Sequence, residues 1–116
     1  MIQDTSWGPD TIYDGSSSTS PGSWHKLRGP LGRWALNLAS GNSTSTVTAK
    51  GTLQGTLSDA TAPAAGEIFT ISTKGAVGYA CSTAVKIARQ VRWSLGTLTS
   101  TSSTAPTLTV KVCGTL

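Results

Sequence analysis

The residues able to act as acids, bases or nucleophile partners are few in this 116-residue chain. Catalysis by carboxylates needs two acids in one cleft, yet three of the five acids lie within the first 14 residues. The five are Asp4, Asp10, Asp14, Asp59 and Glu67. His25 is the only histidine, and it adjoins Lys26 in a segment that indicates no partner.

Sequence motifs also give no indication of an enzyme. The chain has no G-x-S-x-G, G-K-[ST] or H-E-x-x-H pattern. A Ser-His-Asp set stays open on residue order alone, because the many serines make chance matches common. On balance the sequence predicts a protein that is not an enzyme and that holds no cofactor.

Cysteine chemistry is limited to two residues, Cys81 and Cys113, each at the end of an alternating run. Two cysteines and a single histidine cannot complete a tetrahedral zinc site, so no metal is expected. One disulfide is possible, but a single bridge is not a disulfide framework. We expect both residues to be reduced thiols buried as small apolar side chains.

Composition indicates a β-rich protein of an outer surface. Only 12% of the residues are charged, whereas Ser and Thr together number 35, and Thr suits the pleated face of a strand. The net charge of +4 reflects scarce acids, and Lys26, Arg28 and Arg33 form the only local basic cluster. Such a cluster suits nucleic acid or an acidic protein surface. The other bases are scattered as on a solvated face, so no nucleic-acid partner is expected.

Targeting signals are also missing from the sequence. The first 14 residues lack the basic start and apolar run of a secretory signal, and no segment approaches the ~20 apolar residues of a membrane helix. We therefore expect a protein without a membrane association that is made in a cytoplasm.

The elements that position these residues are β-strands. In residues 91–95, Val91, Trp93 and Leu95 alternate with polar residues, and Leu108, Val110 and Val112 do so in the last segment. Strands with one apolar face indicate an antiparallel sheet packed on a single core. A polar Ser/Thr loop, 99–105, joins these two strands. Trp93 and Trp34 are both expected in the core.

The remaining segments repeat this pattern between turn signals. Alternation or turn residues predict strands at 33–39, 44–50, 51–57, 67–73, 77–81 and from Val85 and Ile87 onward. Gly51 and Gly55 suggest bulges or close packing. The sequence therefore predicts an all-β fold, an antiparallel β-sandwich of about seven or eight short strands over residues 33–116.

Residues 1–32 differ from the rest and predict an extended, irregular N-terminal arm. They combine three of the five prolines with a Ser-rich run, 16–20, and show no sustained period of 2 or 3.6. A purely disordered tail would not usually carry two tryptophans. We expect the arm to dock through anchors on a neighbouring subunit, or alternatively to cover an open end of its own sandwich. The predicted partner-binding residues are Trp7, Ile12, Tyr13, Trp24, Leu27, Lys26, Arg28 and Arg33.

Two stretches carry a resemblance to a known group of proteins. They are TVTAKGTLQGTLSDAT at 46–61 and ARQVRWSLGTLTSTSSTAPTLTVKVCG at 88–114. The pattern resembles a recurrent β-sandwich module of tailed-bacteriophage virion proteins, in which a strand ends in a G-x-L-x-G turn and an A-R-x-V-R-x-x-L strand leads to a terminal T-V-x-V strand. The likeness covers the last two-thirds of the chain. Such modules occur in capsid decoration (cement) proteins and in neck or tail proteins.

The resemblance implies a structural role in a virion. We expect a decoration protein that binds the outside of a phage capsid, staples neighbouring capsid subunits and lies on the capsid surface. Its partners would be the major capsid protein and other copies of itself, as a homo-oligomer on the shell. The alternative is a carbohydrate-binding or a neck or tail module. The arm aromatics Trp7, Tyr13 and Trp24 lie in a segment that looks too loose to preorganise a flat sugar site.

Overall fold

The chain folds into two antiparallel β-sheets, as a computed structural model shows for residues 6–16, 22–29, 31, 33–40, 47–82, 87–100 and 107–115. The strands are β1 (Trp7–Ser16), β2 (His25–Lys26), β3 (Arg33–Ser40), β4 (Val47–Thr56), β5 (Ile68–Lys74), β6 (Gly78–Ser82), β7 (Gln90–Ser100) and β8 (Thr107–Thr115). A 3-10 helix, Ala65–Glu67, precedes β5. Sheet A has the order β1-β8-β3-β6 and sheet B the order β2-β7-β4-β5. The predicted all-β antiparallel sandwich is confirmed, but two of the eight strands described, β1 and β2, lie before residue 33, where the sequence predicts an irregular arm.

The core lies between the sheets and follows the period-2 pattern of the strands. Leu108, Val110 and Val112 of β8 are buried, and the residues that alternate with them are exposed or half-buried. On the facing sheet Val91, Trp93 and Leu95 of β7 are buried in the same way. The prediction that both Trp93 and Trp34 are core residues is confirmed, with exposed fractions of 0% and 6%.

The structure corrects the predicted arm over residues 7–16. These residues form β1, which pairs antiparallel with β8 at one edge of sheet A. Trp7 and Ile12 are buried in the core of the same chain, as is Leu31. The boundary predicted between residues 32 and 33 therefore does not separate an arm from the sandwich.

The physical reason for this difference is the irregular register of β1. The pairing with β8 shifts once between Trp7 and Asp10 and again between Thr11 and Tyr13. An extra residue in a strand reverses which face the following side chains occupy. Trp7 and Ile12 are five residues apart. In a regular strand an odd spacing puts two side chains on opposite faces, so the sequence gives no sign that both face the core. Pro9 is tolerated because β1 is an edge strand with only one neighbour.

The cysteines are free, but the expected burial of their thiols is wrong: Cys81 is exposed and Cys113 is half-buried. Both pair with Ala35 of β3, one from β6 and the other from β8. All three lie out of phase with the buried Leu36 and Val112, so they share the face of sheet A that points away from sheet B. Two strand spacings of ~4.8 Å separate Cys81 from Cys113, which exceeds the ~7 Å limit for a disulfide.

Three sequence predictions lie partly or wholly outside the described residues. They are the Ser-rich run 16–20, the loop 99–105 and the strand start at Val85. Ile87, predicted to be in that strand, lies before β7 and is 76% exposed. The two segments 44–50 and 51–57 form one strand, β4, whose register against β7 shifts between Lys50 and Gly51.

Candidate functional site

Four exposed basic side chains lie at one end of the sandwich. Lys26 ends β2 and Arg33 begins β3. Arg28 and Arg89 come together because the amide nitrogen of Leu27 donates a 3.0 Å hydrogen bond to the carbonyl oxygen of Arg89. Arg28 lines one depression with Trp7, and Arg33 lines another with the same indole, which places both arginines at one end. We call this surface the basic end.

Two of these bases pair with acids among the residues that the structure describes. Arg28 binds Asp10 through two hydrogen bonds, from Nε at 2.8 Å and from Nη2 at 2.5 Å. These hydrogen bonds hold the pKa of the Asp10 carboxyl below its usual value. Arg89 approaches Asp59 at 3.5 Å, with both side chains well exposed. Lys26 and Arg33 form no ion pair with another described residue, so the basic end keeps a net positive charge.

Two large apolar side chains are exposed at the same end. Leu57 and Ile87 are 58% and 76% exposed. The amide nitrogen of Arg89 donates a 2.8 Å hydrogen bond to the carbonyl oxygen of Thr56, so the backbone of Leu57 lies next to Arg89, and Ile87 is two residues before Arg89. Burying one such side chain against a partner would contribute about 1.5–3 kcal/mol.

An open depression of about 670 Å³ adjoins the basic end on sheet A. Trp7, Pro9 and Ala35 provide apolar walls, and Arg33 lies at its margin. The thiol-bearing residues Cys81 and Cys113 also line it. The depression has room for an apolar group of a partner next to the positive charge of Arg33.

The eight predicted partner-binding residues divide between interior and surface. Trp7 and Ile12 are core residues, and Tyr13 and Leu27 are half-buried against the core. Burial raises the pKa of the Tyr13 hydroxyl. On the surface, Lys26, Arg28 and Arg33 meet at the basic end. Trp24 is half-exposed on sheet B, where it stacks on Arg92.

Sequence reasoning missed Arg89, Leu57 and Ile87. They lie 24 or more residues from the predicted basic cluster, and only the pairing of β7 with β2 and β4 brings them beside it. Arg89 lies inside the strand that the sequence predicts from Val85 and Ile87 onward, where a single base is typical of a solvated face. The alternation of apolar and polar residues gave no sign that Leu57 and Ile87 are exposed.

Other kinds of site were also sought among the described residues. They contain no cluster of three or more His, Cys, Asp or Glu side chains placed to hold a metal ion. None of the helices they form is long and apolar enough to cross a membrane. Comparison with protein-family models, curated proteins and solved structures found no match.

Proposed function

We propose that this protein is a structural virion protein that binds the outside of a tailed-phage capsid and staples neighbouring capsid subunits. The observation that carries the proposal is the basic end, where four exposed bases lie at the same end of the sandwich as exposed Leu57 and Ile87. An apolar centre with arginine around it is the usual composition of a protein–protein interface. The resemblance of residues 46–61 and 88–114 to phage virion modules selects the kind of partner.

In this proposal the basic end binds the partner, which is the role that the sequence predicts for an N-terminal arm. Trp7 and Ile12 are internal, so a partner would instead contact the exposed apolar residues and the depression beside Arg33. The charges of Lys26 and Arg33, which pair with no acid in the described part of the chain, suit an acidic patch on a capsid protein, and their contribution weakens as salt screens it. Many copies on one lattice, as a homo-oligomer or as separate subunits, would gain avidity without new contacts.

A binding experiment on shells tests the proposal. The purified protein is added to particles of the encoding phage from which it has been removed, and bound protein is measured after sedimentation. Lys26→Glu/Arg33→Glu is expected to weaken binding at least about tenfold, through loss of attraction and added repulsion. Lys50→Glu/Lys111→Glu makes the same change in net charge on the outer faces of the two sheets and should bind as the wild type.

Two results would overturn the proposal. One is the absence of the chain from purified particles by mass spectrometry. The other is equal shell binding by the two double variants, which would show that charge at the basic end plays no part.

A further inference from the structure

The outward face of sheet B carries an ordered row of side chains that the basic end does not include. His25 pairs with Val91, which places Trp24 beside Arg92. Arg92 pairs with Gln54, and Gln54 pairs with Thr70. Because Val91, Trp93 and Leu53 between them are buried in the core, these four residues share the opposite, solvent-facing side of the sheet. We call them the Trp24 row.

Direct contacts hold the Trp24 row in place. The guanidinium carbon of Arg92 lies 4.7 Å from the centroid of the Trp24 ring, within cation–π range. The Nε of Arg92 donates a 2.8 Å hydrogen bond to Oε1 of Gln54. One side chain is thus fixed from both sides, by an aromatic ring and by an amide.

The backbone around Trp24 is fixed as well. The amide nitrogen of Gly22 donates a 2.8 Å hydrogen bond to the carbonyl oxygen of Trp93, and Leu27 bonds to Arg89 on the other side of Trp24. This removes the objection that the segment is too loose to present a flat ring. With one face on Arg92 and the side chain half-exposed, the indole has accessible surface left for a ligand.

The surroundings of the row are rich in hydroxyls and include one exposed cation, Lys26, which pairs with Gln90 two residues along from Trp24. The next row along the same face consists of Ser94, Thr52 and Thr73, all at least partly exposed. Hydroxyl and amide groups both donate and accept hydrogen bonds. The single cation within the Trp24 row already has its Nε and its ring face engaged.

From this chemistry we propose that the Trp24 row binds a neutral saccharide. The apolar face of a sugar ring stacks on the indole, and its hydroxyls exchange hydrogen bonds with Arg92, Gln54 and the neighbouring Ser and Thr side chains. A single-stranded nucleic acid would also stack on Trp24, but its affinity depends on several cations that contact phosphates. Arg92 is already engaged and Lys26 is a single exposed charge two residues from Trp24, and two such cations fit that ligand poorly. The proposal is independent of the shell-binding proposal, since it rests on the Trp24 ring and not on the charge of the basic end.

The test uses the full chain on an array of neutral and acidic oligosaccharides, with a 20-nucleotide dT strand as a further probe. The wild type is expected to bind neutral glycans with little dependence on salt. The best neutral glycan is then titrated by calorimetry. Trp24→Ala should weaken it about tenfold or more, the effect of losing one stacked ring, and Trp24→Phe should restore part of the loss.

Tyr79→Ala is the matched control, because Tyr79 is an exposed aromatic residue (76%) on the other sheet. It should bind the glycan as the wild type, and so should Arg33→Glu, which changes the basic end on sheet A and separates this site from it. Melting temperatures confirm that each variant is folded. Three results would each overturn the proposal. The wild type could bind no neutral glycan, or it could bind only acidic glycans or dT in a salt-sensitive way. The third result is an equal loss of affinity in the Trp24 and Tyr79 variants.

Discussion

Gly51 of β4 lies directly against the indole of Trp93, so that a Cβ atom on Gly51 would overlap the six-membered ring. Trp93 is fully buried at the centre of the core, and its Nε1 has no hydrogen-bond partner among the described residues. Trp93, one of the largest side chains of the core, therefore packs at a position where the neighbouring strand β4 has a glycine.

This contact gives a prediction about stability. Gly51→Ala should lower the free energy of unfolding by about 1–3 kcal/mol, because the added methyl forces Trp93 to move in a packed interior. Urea denaturation measures the change. Gly66→Ala is the control, since a Cβ on Gly66 meets no atom within 4 Å. It should be neutral or stabilising by up to about 1 kcal/mol, and similar losses in both variants would contradict the contact.

A second prediction tests whether β1 belongs to the sandwich. Ile12 is 3% exposed, whereas its neighbour Thr11 is exposed on the other face of the strand. Ile12→Ala should reduce the free energy of unfolding by about 2–5 kcal/mol, and Thr11→Ala should change it by less than about 0.5 kcal/mol. If Ile12 served only as an anchor for another subunit, the isolated protein would show no difference between the two variants.

A third prediction concerns acid stability. The pKa of Asp10 is lowered in the folded protein by its hydrogen bonds to Arg28. The pair therefore adds stability above the unfolded-state pKa of about 3.9, and this is lost as pH falls through the lower folded value. Asp10→Asn should flatten that part of the stability–pH curve.

The same curve provides a control for the assignment to Arg28. In an Arg28→Gln background, Asp10→Asn should have little further effect on the pH dependence, because the two residues act as one pair. A full additional effect would mean that another group lowers the pKa of Asp10.

A fourth prediction concerns the thiols. An intact-mass measurement should show both cysteines reduced, since the register of β6, β3 and β8 keeps them two strands apart. A thiol reagent should modify exposed Cys81 faster than half-buried Cys113, and Cys81→Ser should remove the fast phase. A mass lower by two hydrogens, together with a melting temperature sensitive to reductant, would contradict the register.

The sequence predicted those parts of the fold in which the period of 2 is unbroken. The runs around Trp93 and Val110 gave both the sheet type and the core. It failed at β1, where two register shifts disguise the common face of Trp7 and Ile12. The incomplete burial of the Cys113 thiol could have been predicted, because Cys113 is out of phase with Val110 and Val112 in its own strand.

The candidate site was less accessible to sequence reasoning. Lys26, Arg28 and Arg33 stood out as a local cluster, and the structure does gather them at one end. Leu57 and Arg89 join them only through pairing between strands distant in the chain. The stacking of Trp24 on Arg92 also joins residues 68 positions apart. Contacts of this kind depend on register, which alternation alone does not give.

The position of β8 in sheet A constrains the order in which the chain acquires its structure during synthesis. Of the described strands β8 is synthesised last, yet it lies between β1 and β3 and provides their shared hydrogen-bonding partner. Sheet B needs nothing beyond β7, so β4, β5 and β7 are free to pair first. β1 has to wait for a partner translated about 90 residues later, and until then its apolar residues remain exposed to chaperones and to neighbouring nascent chains.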